Sequence, residues 1–448
     1  MRISLDEVTI NRDGSVLVTA LLQRMIDKIH DAGGGTLIVT PGIYRTGTLV
    51  LPSDFCLQLD AGATLLASAD YGDYAAAQTL TTAELSNSAL LYARGQQNIT
   101  LCGAGKIDGN ADAFFSSQAD EQGYRLPHSH RPRMVVFEDC QAIRLQDITL
   151  TQSPMWTVHL VSCAQVFIAR ICVDNDLTMA NTDALDIDSC QQVHISDCHF
   201  SAADDGICLK TTRKTPQIQR PLRNVTVTNC TLRSKSCAIK IGTETFADIE
   251  NVTISNCSIY ESNRGIGIIS RDGGRFSRLI FSNITYSCAY AHACHWGKSD
   301  PIFISVRFRD PEIRPGNISD VAFNNIVGVT EGAINLHSEI QGAIENIAFN
   351  AVSIRQLPSD NHAQGEYDIR PPCNPERPTG MGLDNAYRVN PQTGRAFGVE
   401  KYPGGLPAIF AKGVASLHLN DIQIIRPDHL PPGWNPQAIV MEDAITAP

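Results

Sequence analysis

Val225-Thr226-Val227-Thr228-Asn229-Cys230 returns as Val252-Thr253-Ile254-Ser255-Asn256-Cys257 and again as Leu279-Ile280-Phe281-Ser282-Asn283-Ile284. Each copy has an apolar anchor, an alternating strand, and a small apolar residue five positions after the anchor. The same unit is found around Ile143, Val166, Val193, Val321, Ile347 and Leu417, with Ile148, Ile171, Cys198, Ile326, Val352 and Ile422 in the later slot. From Ile143 to Leu279 the anchors are spaced by 23, 27, 32, 27 and 27 residues. A strand-bearing repeat of this length without helices predicts a β-solenoid, in which stacked turns build one continuous core.

The flanks fit that frame. Leu17, Ala20, Leu21, Met25, Ile26 and Ile29 recur at helical spacing, so a helix is expected over residues 17–32, with Ser15 as N-cap and Gly33-Gly34-Gly35 as its stop. Short strands are expected at Thr36–Val39, Leu49–Leu51, Cys56–Leu59 and Thr64–Ala67. Residues 355–408 leave the repeat for a Pro-rich, polar stretch that includes Arg370-Pro371-Pro372 and Asn374-Pro375-Glu376-Arg377-Pro378. It reads as an ordered excursion inside one domain, because strands resume at Pro407–Ala411 and Leu417–Ile424.

Composition narrows the function classes. The 448 residues carry 36 Lys+Arg against 47 Asp+Glu, a net charge of −11, which argues against nucleic acid as partner. No apolar run approaches the roughly 18 residues of a membrane span. No Gly-rich loop followed by Lys-Ser/Thr marks a nucleotide site, and no His/Cys spacing marks zinc, so no cofactor and no metal are expected. Met1-Arg2-Ile3-Ser4-Leu5-Asp6-Glu7 lacks the charged-then-apolar start of a secretion signal, so the expected location is the cytoplasm unless a leader has been cut away. Several of the fourteen Cys fill repeat slots: Cys198, Cys230 and Cys257 stand where Ile and Val stand elsewhere, and Cys140, Cys163 and Cys190 each lie three residues before an anchor. They are expected to be reduced core thiols.

Aligning the turns on their second strand brings Trp156-Thr157-Val158, Asp183-Ala184-Leu185, Asp205-Gly206-Ile207, Cys237-Ala238-Ile239 and Arg264-Gly265-Ile266 into register. With strands about 4.8 Å apart, Asp183 and Asp205 become neighbours on one outer surface, with Asp204 beside them. Carboxylates this close push at least one pKa upward, which suits acid/base work. Turn capping by Asp and a calcium site are the alternatives at this stage.

Asn181-Thr182-Asp183 followed by Asp204-Asp205 resembles glycoside hydrolase family 28, the polygalacturonase-like, pectin-degrading family. Gly33-Gly34-Gly35-Thr36, Pro41-Gly42-Ile43-Tyr44, Leu59-Asp60-Ala61-Gly62-Ala63, Ile107-Asp108-Gly109 and Ser153-Pro154-Met155-Trp156-Thr157 extend the resemblance over most of the chain. It implies an all-β fold, a right-handed parallel β-helix with a short N-terminal capping helix (about residues 1–35), as a single domain over residues 1–448. It also implies an inverting hydrolase with Asp204 as general acid and Asp183 and Asp205 holding and activating the water.

Two motifs of the family are absent. The histidine of its Gly-His-Gly would fall near Ser236, and Gly267-Ile268-Ile269 stands where Arg-Ile-Lys is expected. Those basic residues hold the substrate carboxylate in the family, so Lys240, Arg264 and Arg271 are expected to take their place, the alternative being that Lys240 and Arg264 only neutralise the aspartate column. His292-Ala293-Cys294-His295-Trp296-Gly297-Lys298 resembles a stretch of the subgroup lacking both motifs, with Trp296 expected to stack on a sugar and Lys298 to bind an acid group. The expected activity is hydrolysis of galacturonate-containing pectic oligosaccharides, exo-acting, with the excursion walling off one end of the groove. The subgroup also brings in rhamnogalacturonan-type hydrolysis, and a β-helix polysaccharide lyase, an epimerase and a carbohydrate-binding protein are the rival readings. The oligomeric expectation is a monomer or weak homo-oligomer.

Overall fold

The computed structural model describes residues 1–84, 86–292, 294–359, 365–370, 392 and 397–443. The chain gathers into two compact units, Met1–Ala203 with Lys214–Arg220, and Asp204–Arg213 with the chain from Pro221 onward. Both are right-handed parallel β-helices, the hand that crossovers between parallel strands strongly favour. No helix among the described residues is long and apolar enough to cross a membrane.

In the first unit each turn contributes one strand to each of three parallel ladders. One runs through Gly35–Val39, Phe55–Leu59, Gln97–Cys102, Gln141–Gln146, Ala164–Ala169 and Gln191–Ser196. A second runs through Ala63–Ala67, Lys106–Asp108, Thr149–Thr151, Cys172–Asp174 and His199–Ala202. The third runs through Ala89–Arg94, Arg133–Glu138, Val158–Val161 and Leu185–Asp188. In the second unit, the strands Ile207–Thr211, Cys237–Thr245, Arg264–Ser270, Ile302–Val306, Ile334–Ser338 and Ile409–Lys412 form one ladder. The longer strands Ile249–Ser262, Phe276–Cys288, Ile318–Thr330, Ile344–Gln356 and Leu417–Ile425 form another.

The repeat places the core as expected. Ile143, Val166 and Val193 stack in register, as do Val225, Val252, Leu279, Val321, Ile347 and Leu417, and all are buried. Phe281, Phe323 and Phe349 stack with ring centroids 4.9 Å apart. The described cysteines are all free thiols. Cys163 and Cys190 donate to the carbonyls of Phe137 and Leu160, which fits their place in the core.

Turns are made where the chain must go left-handed. The residue before the anchor and the residue before the later slot both have positive φ in many turns, for example Asn224, Asn251, Asn229, Asn256, Asn283 and Asn325. Asn tolerates that conformation, and its amide adds a rung: Asn283 donates to Asn256 at 3.1 Å and accepts from Asn325 at 2.9 Å. Asp183, Asp204 and Asp205 are not among the positive-φ residues, so turn capping of this kind is not their role. Asn283→Val forces a β-branched residue into the left-handed region and removes both rungs. Urea unfolding should show a loss of about 1–2 kcal/mol, with Asn283→Gly retaining more.

The N-terminal helix differs at its start. It spans Thr19–Asp31 with Val18 at the N-cap, and Ser15 lies in the strand Asp13–Leu17. That segment pairs with Gly42–Thr46, the Arg45 guanidinium holds the Ser15 carbonyl at 2.5 Å, and Leu17 is left exposed. Edge pairing therefore outweighs the capping preference. Gly33 and Gly34 do end the helix, their N–H groups reaching back to His30 and Ile29.

Most of the Pro-rich stretch, including Pro371-Pro372 and Asn374–Pro378, lies outside the described residues. In its described part, Glu366–Asp368 and Val399–Lys401 pair antiparallel. Tyr367, Ile369, Tyr402 and Leu406 join Trp434 in a buried cluster against Ile269, Phe303 and Phe410.

Candidate active site

Asp204 and Asp205 precede the strand Ile207–Thr211. Ile207 pairs with Ile239 and Ile239 with Ile266, so Asp205, Cys237 and Arg264 take the register read from the sequence. Asp205 is 1% exposed. Its Oδ1 accepts from the Ser236 hydroxyl at 3.3 Å and its Oδ2 from the Lys240 ammonium at 2.5 Å. Burial pushes the Asp205 carboxyl above its ordinary value and Asp204 adds to this, while Lys240 opposes both. Asp204 is half-buried, and its carbonyl accepts from the Ser234 hydroxyl at 2.5 Å. The pair thus holds one carboxyl that reaches solvent and one that is buried and counter-charged.

In the first unit, Val158 pairs with Leu185, which sets Asp183 beside Trp156 as expected. Asn181 has φ 62°, and its side chain accepts from Arg131 at 3.0 Å. The same guanidinium holds the carbonyls of Pro154 and Ala180, and Asn175 holds the carbonyl of Thr182 at 3.0 Å. The Asp183 carbonyl accepts from the Thr157 N–H at 2.8 Å, and its side chain is buried. Arg131 and Asn175 therefore fix the backbone of Asn181-Thr182-Asp183. The sequence reading missed them, since Arg131 is 50 residues from Asn181.

Each cation expected to meet substrate has partners within this chain. The Lys240 ammonium sits on Asp205. Arg264 is buried, with Nε 3.0 Å from Asp300, Nη2 3.0 Å from the Asp368 carbonyl, and its guanidinium 3.8 Å from the Phe303 ring centroid. Arg271 is buried, donates to the Phe308 carbonyl at 2.8 Å, and lies near Arg307, Arg309 and Asp272. The Lys298 ammonium is 3.6 Å from Glu366 and 4.9 Å from the Tyr290 ring centroid. A cation at such depth is stable only when compensated, so Lys240, Arg264 and Lys298 are matched to carboxylates of this chain.

The loop carrying Trp296 and Lys298 is bolted in place. Asn263 donates to the carbonyls of Trp296 and Gly297 and accepts from Ser299 N–H. Asp300 accepts from the Lys298 N–H at 3.1 Å, and Asp368 accepts from the Gly297 N–H at 2.7 Å. Arg370 pairs with Asp368 at 2.6 Å and donates to the His295 carbonyl at 3.0 Å. Burial would raise the Asp368 carboxyl, but the Arg370 guanidinium outweighs it and holds the group down to about 2. Trp296 is half-buried, its ring centroid 5.8 Å from the Lys240 Nζ. Burial, then His292, pushes His295 down to about 3. It is therefore neutral near pH 7.

The position expected for the family's Arg-Ile-Lys is now explained. Gly267 lies opposite Lys240 and Phe303, where a Cβ would stand 3.0 Å from the Cys237 sulfur. Ile269 seats the apolar cluster of the excursion. What would be a basic surface is a paved floor, covered by Tyr367, Ile369 and Tyr402.

The sequence model of "Glycosyl hydrolases family 28" matches residues 53–367. A "Probable polygalacturonase" of Vitis vinifera is 27% identical over 270 residues, covering 57% of this chain and 54% of that protein. An "Exo-poly-alpha-D-galacturonosidase" of Dickeya chrysanthemi is 23% identical over 319 residues, covering 60% and 52%. The chain thus spans about half the length of these curated relatives. Among solved structures, a hyperthermoactive exopolygalacturonase from Thermotoga maritima superposes with a TM-score of 0.67 at 21% identity, covering 80% of this chain and 87% of that one. Since the family match takes in both the Asn181-Thr182-Asp183 and the Asp204-Asp205 segments on a parallel β-helix, the chain belongs to glycosyl hydrolases family 28.

Proposed function

We propose that this chain is an inverting glycoside hydrolase that cleaves galacturonate-containing pectic oligosaccharides from a chain end. The observation that carries the reading is the contrast within Asp204-Asp205: a half-buried carboxyl next to a buried one clamped by Ser236 and Lys240. Asp204 donates its proton to the departing glycosidic oxygen as the C1–O bond breaks. Asp183 and Asp205 orient the water whose oxygen forms the new C1–O bond on the opposite face, and take up its proton. Trp296 offers a ring face for a sugar. The exo mode is supported by the apolar cluster in which residues of the excursion pack on Ile269, Phe303 and Phe410, on the ladder that also carries Lys240.

The test is product analysis on galacturonate oligomers and, separately, rhamnogalacturonan oligomers, with the anomeric configuration followed by NMR. Stepwise release of one terminal sugar with inversion is expected. Ultraviolet-absorbing unsaturated products would show a lyase, and binding without turnover would show a carbohydrate-binding protein. Cleavage of rhamnogalacturonan alone is the second reading, favoured by Ser236 and Gly267-Ile268-Ile269 standing in place of the two basic motifs.

A further inference from the structure

We propose that Lys240 is the counter-ion of Asp205, a positioning residue that fixes the orientation and charge of that carboxylate rather than a receptor for the carboxylate of a substrate. The inference rests on Asp205 serving the base side of the proposed hydrolysis. Three observations lead to it.

The first is geometric. The Lys240 ammonium is 2.5 Å from Oδ2, while Oδ1 takes the Ser236 hydroxyl at 3.3 Å, so the two oxygens are held from different residues and the carboxylate plane is fixed. The Lys240 side chain is 12% exposed and that of Asp205 1%. Directly opposite Lys240 on the neighbouring strands stand Cys208 and Gly267, so no carboxylate faces it from those register positions.

The second is the set of groups of the second unit that face Asp205, among them Lys240, Asp204, Lys210, Cys237 and His295. His295 is neutral near pH 7, and burial pushes the Cys237 thiol up to about 12, so neither supplies a positive charge. Lys210 is buried and shares its field with Glu244: burial would raise that carboxyl, but Lys210 leads the charges that hold it down to about 2. Of the two lysines, Lys240 is the one bonded to Asp205. Asp204 works against ionisation, so an Asp205 without Lys240 faces burial and a like charge together.

The third is the consequence of the alternative. If a substrate carboxylate captured the Lys240 ammonium, Asp205 would remain buried with only the Ser236 hydroxyl, an arrangement that favours its neutral form and disables it as a base. A base-side residue and a ligand cannot share this cation without opposing each other.

The experiment compares Lys240→Met and Lys240→Arg with the wild type. In Lys240→Met the acid limb of the kcat/KM profile should move up by about 1–2 pH units, with KM little changed. Lys240→Arg should keep the limb near its wild-type place. A readout independent of turnover is carboxyl ¹³C NMR, in which Asp205→Asn identifies the Asp205 signal. Its midpoint should rise in Lys240→Met. In the wild type the Lys240 side-chain ¹⁵N shift should titrate with that same midpoint, a measurement that needs no lysine variant to fold. A raised KM with an unmoved limb and unmoved midpoint overturns the proposal and makes Lys240 a substrate receptor. A moved midpoint in a protein that turns over no pectic oligomer upholds the ion pair and sinks the hydrolase reading instead.

Discussion

Asp204→Asn is expected to lower kcat on the cleaved oligosaccharide by about 10²–10⁴-fold while leaving the folded protein as stable as before. Asp204 is half-buried, and its carbonyl accepts from Ser234, whose N–H in turn donates to the Ser262 hydroxyl at 3.0 Å. An amide of the same shape keeps that backbone link and has no carboxylic proton to deliver. Asp205→Asn should behave differently. It strands the Lys240 ammonium at a buried site, so it should cost about 3–5 kcal/mol of stability in addition to activity. Urea unfolding beside initial rates separates the two variants. Retention of more than about a tenth of wild-type kcat in Asp204→Asn would remove it from the acid role.

The second large effect is structural. Asp368→Ala should destabilise the second unit by about 3–5 kcal/mol, because it leaves the buried Arg370 guanidinium unpaired and deprives the Gly297 N–H of its acceptor. It should also release the loop around Trp296, read as a change in tryptophan emission before global unfolding. The pH dependence has a definite sign. Asp368 is held down to about 2 when folded, against 3.8 as its ordinary value, so the ionised carboxylate stabilises the fold above about pH 4. That contribution fades as pH falls from 4 toward 2, and the stability gap between wild type and Asp368→Asn should narrow over that window. A gap that stays constant across it would mean the charge of Asp368 contributes nothing.

The same wall bears on substrate length. Phe303 and Phe410 share one register column through Asn335, Ile269 lies two residues beyond that column's Gly267, and Tyr367, Tyr402 and Leu406 of the excursion pack with them. Tyr402 also donates to Asn335 at 2.7 Å, and Asn335 donates to Asp300, so the cover is tied to the network that holds Arg264. Ile269, standing where the family's lysine is expected, is thus a floor for side chains of the excursion.

Much of this was legible in the sequence because a parallel β-helix is periodic. The anchor spacing fixed which residues point inward, and register followed from the strand period of two. Asp205, Cys237 and Arg264 accordingly share one column in the structure, as do Trp156 and Asp183. Asn at the turns carries its own reason, since only a few residue types enter the left-handed region at low cost. The helix stop at Gly33-Gly34 was readable for the same reason, whereas Ser15 misled because its strand pairing is a long-range event.

The sequence by itself determined the solenoid, its core columns and the registers of Asp205 with Arg264 and of Asp183 with Trp156, since each depends on local conformational preference repeated at fixed spacing. Only the tertiary structure decided what the long charged side chains do. Arg264 reaches Asp368 across 104 residues, Arg131 reaches Asn181 across 50, and Lys240 bends onto Asp205 across 35. Strand period says which face such a side chain leaves from, but a flexible stem of three or four carbons reaches several partners. The partner chosen is the one whose burial most requires a compensating charge, and burial is a property of the whole fold.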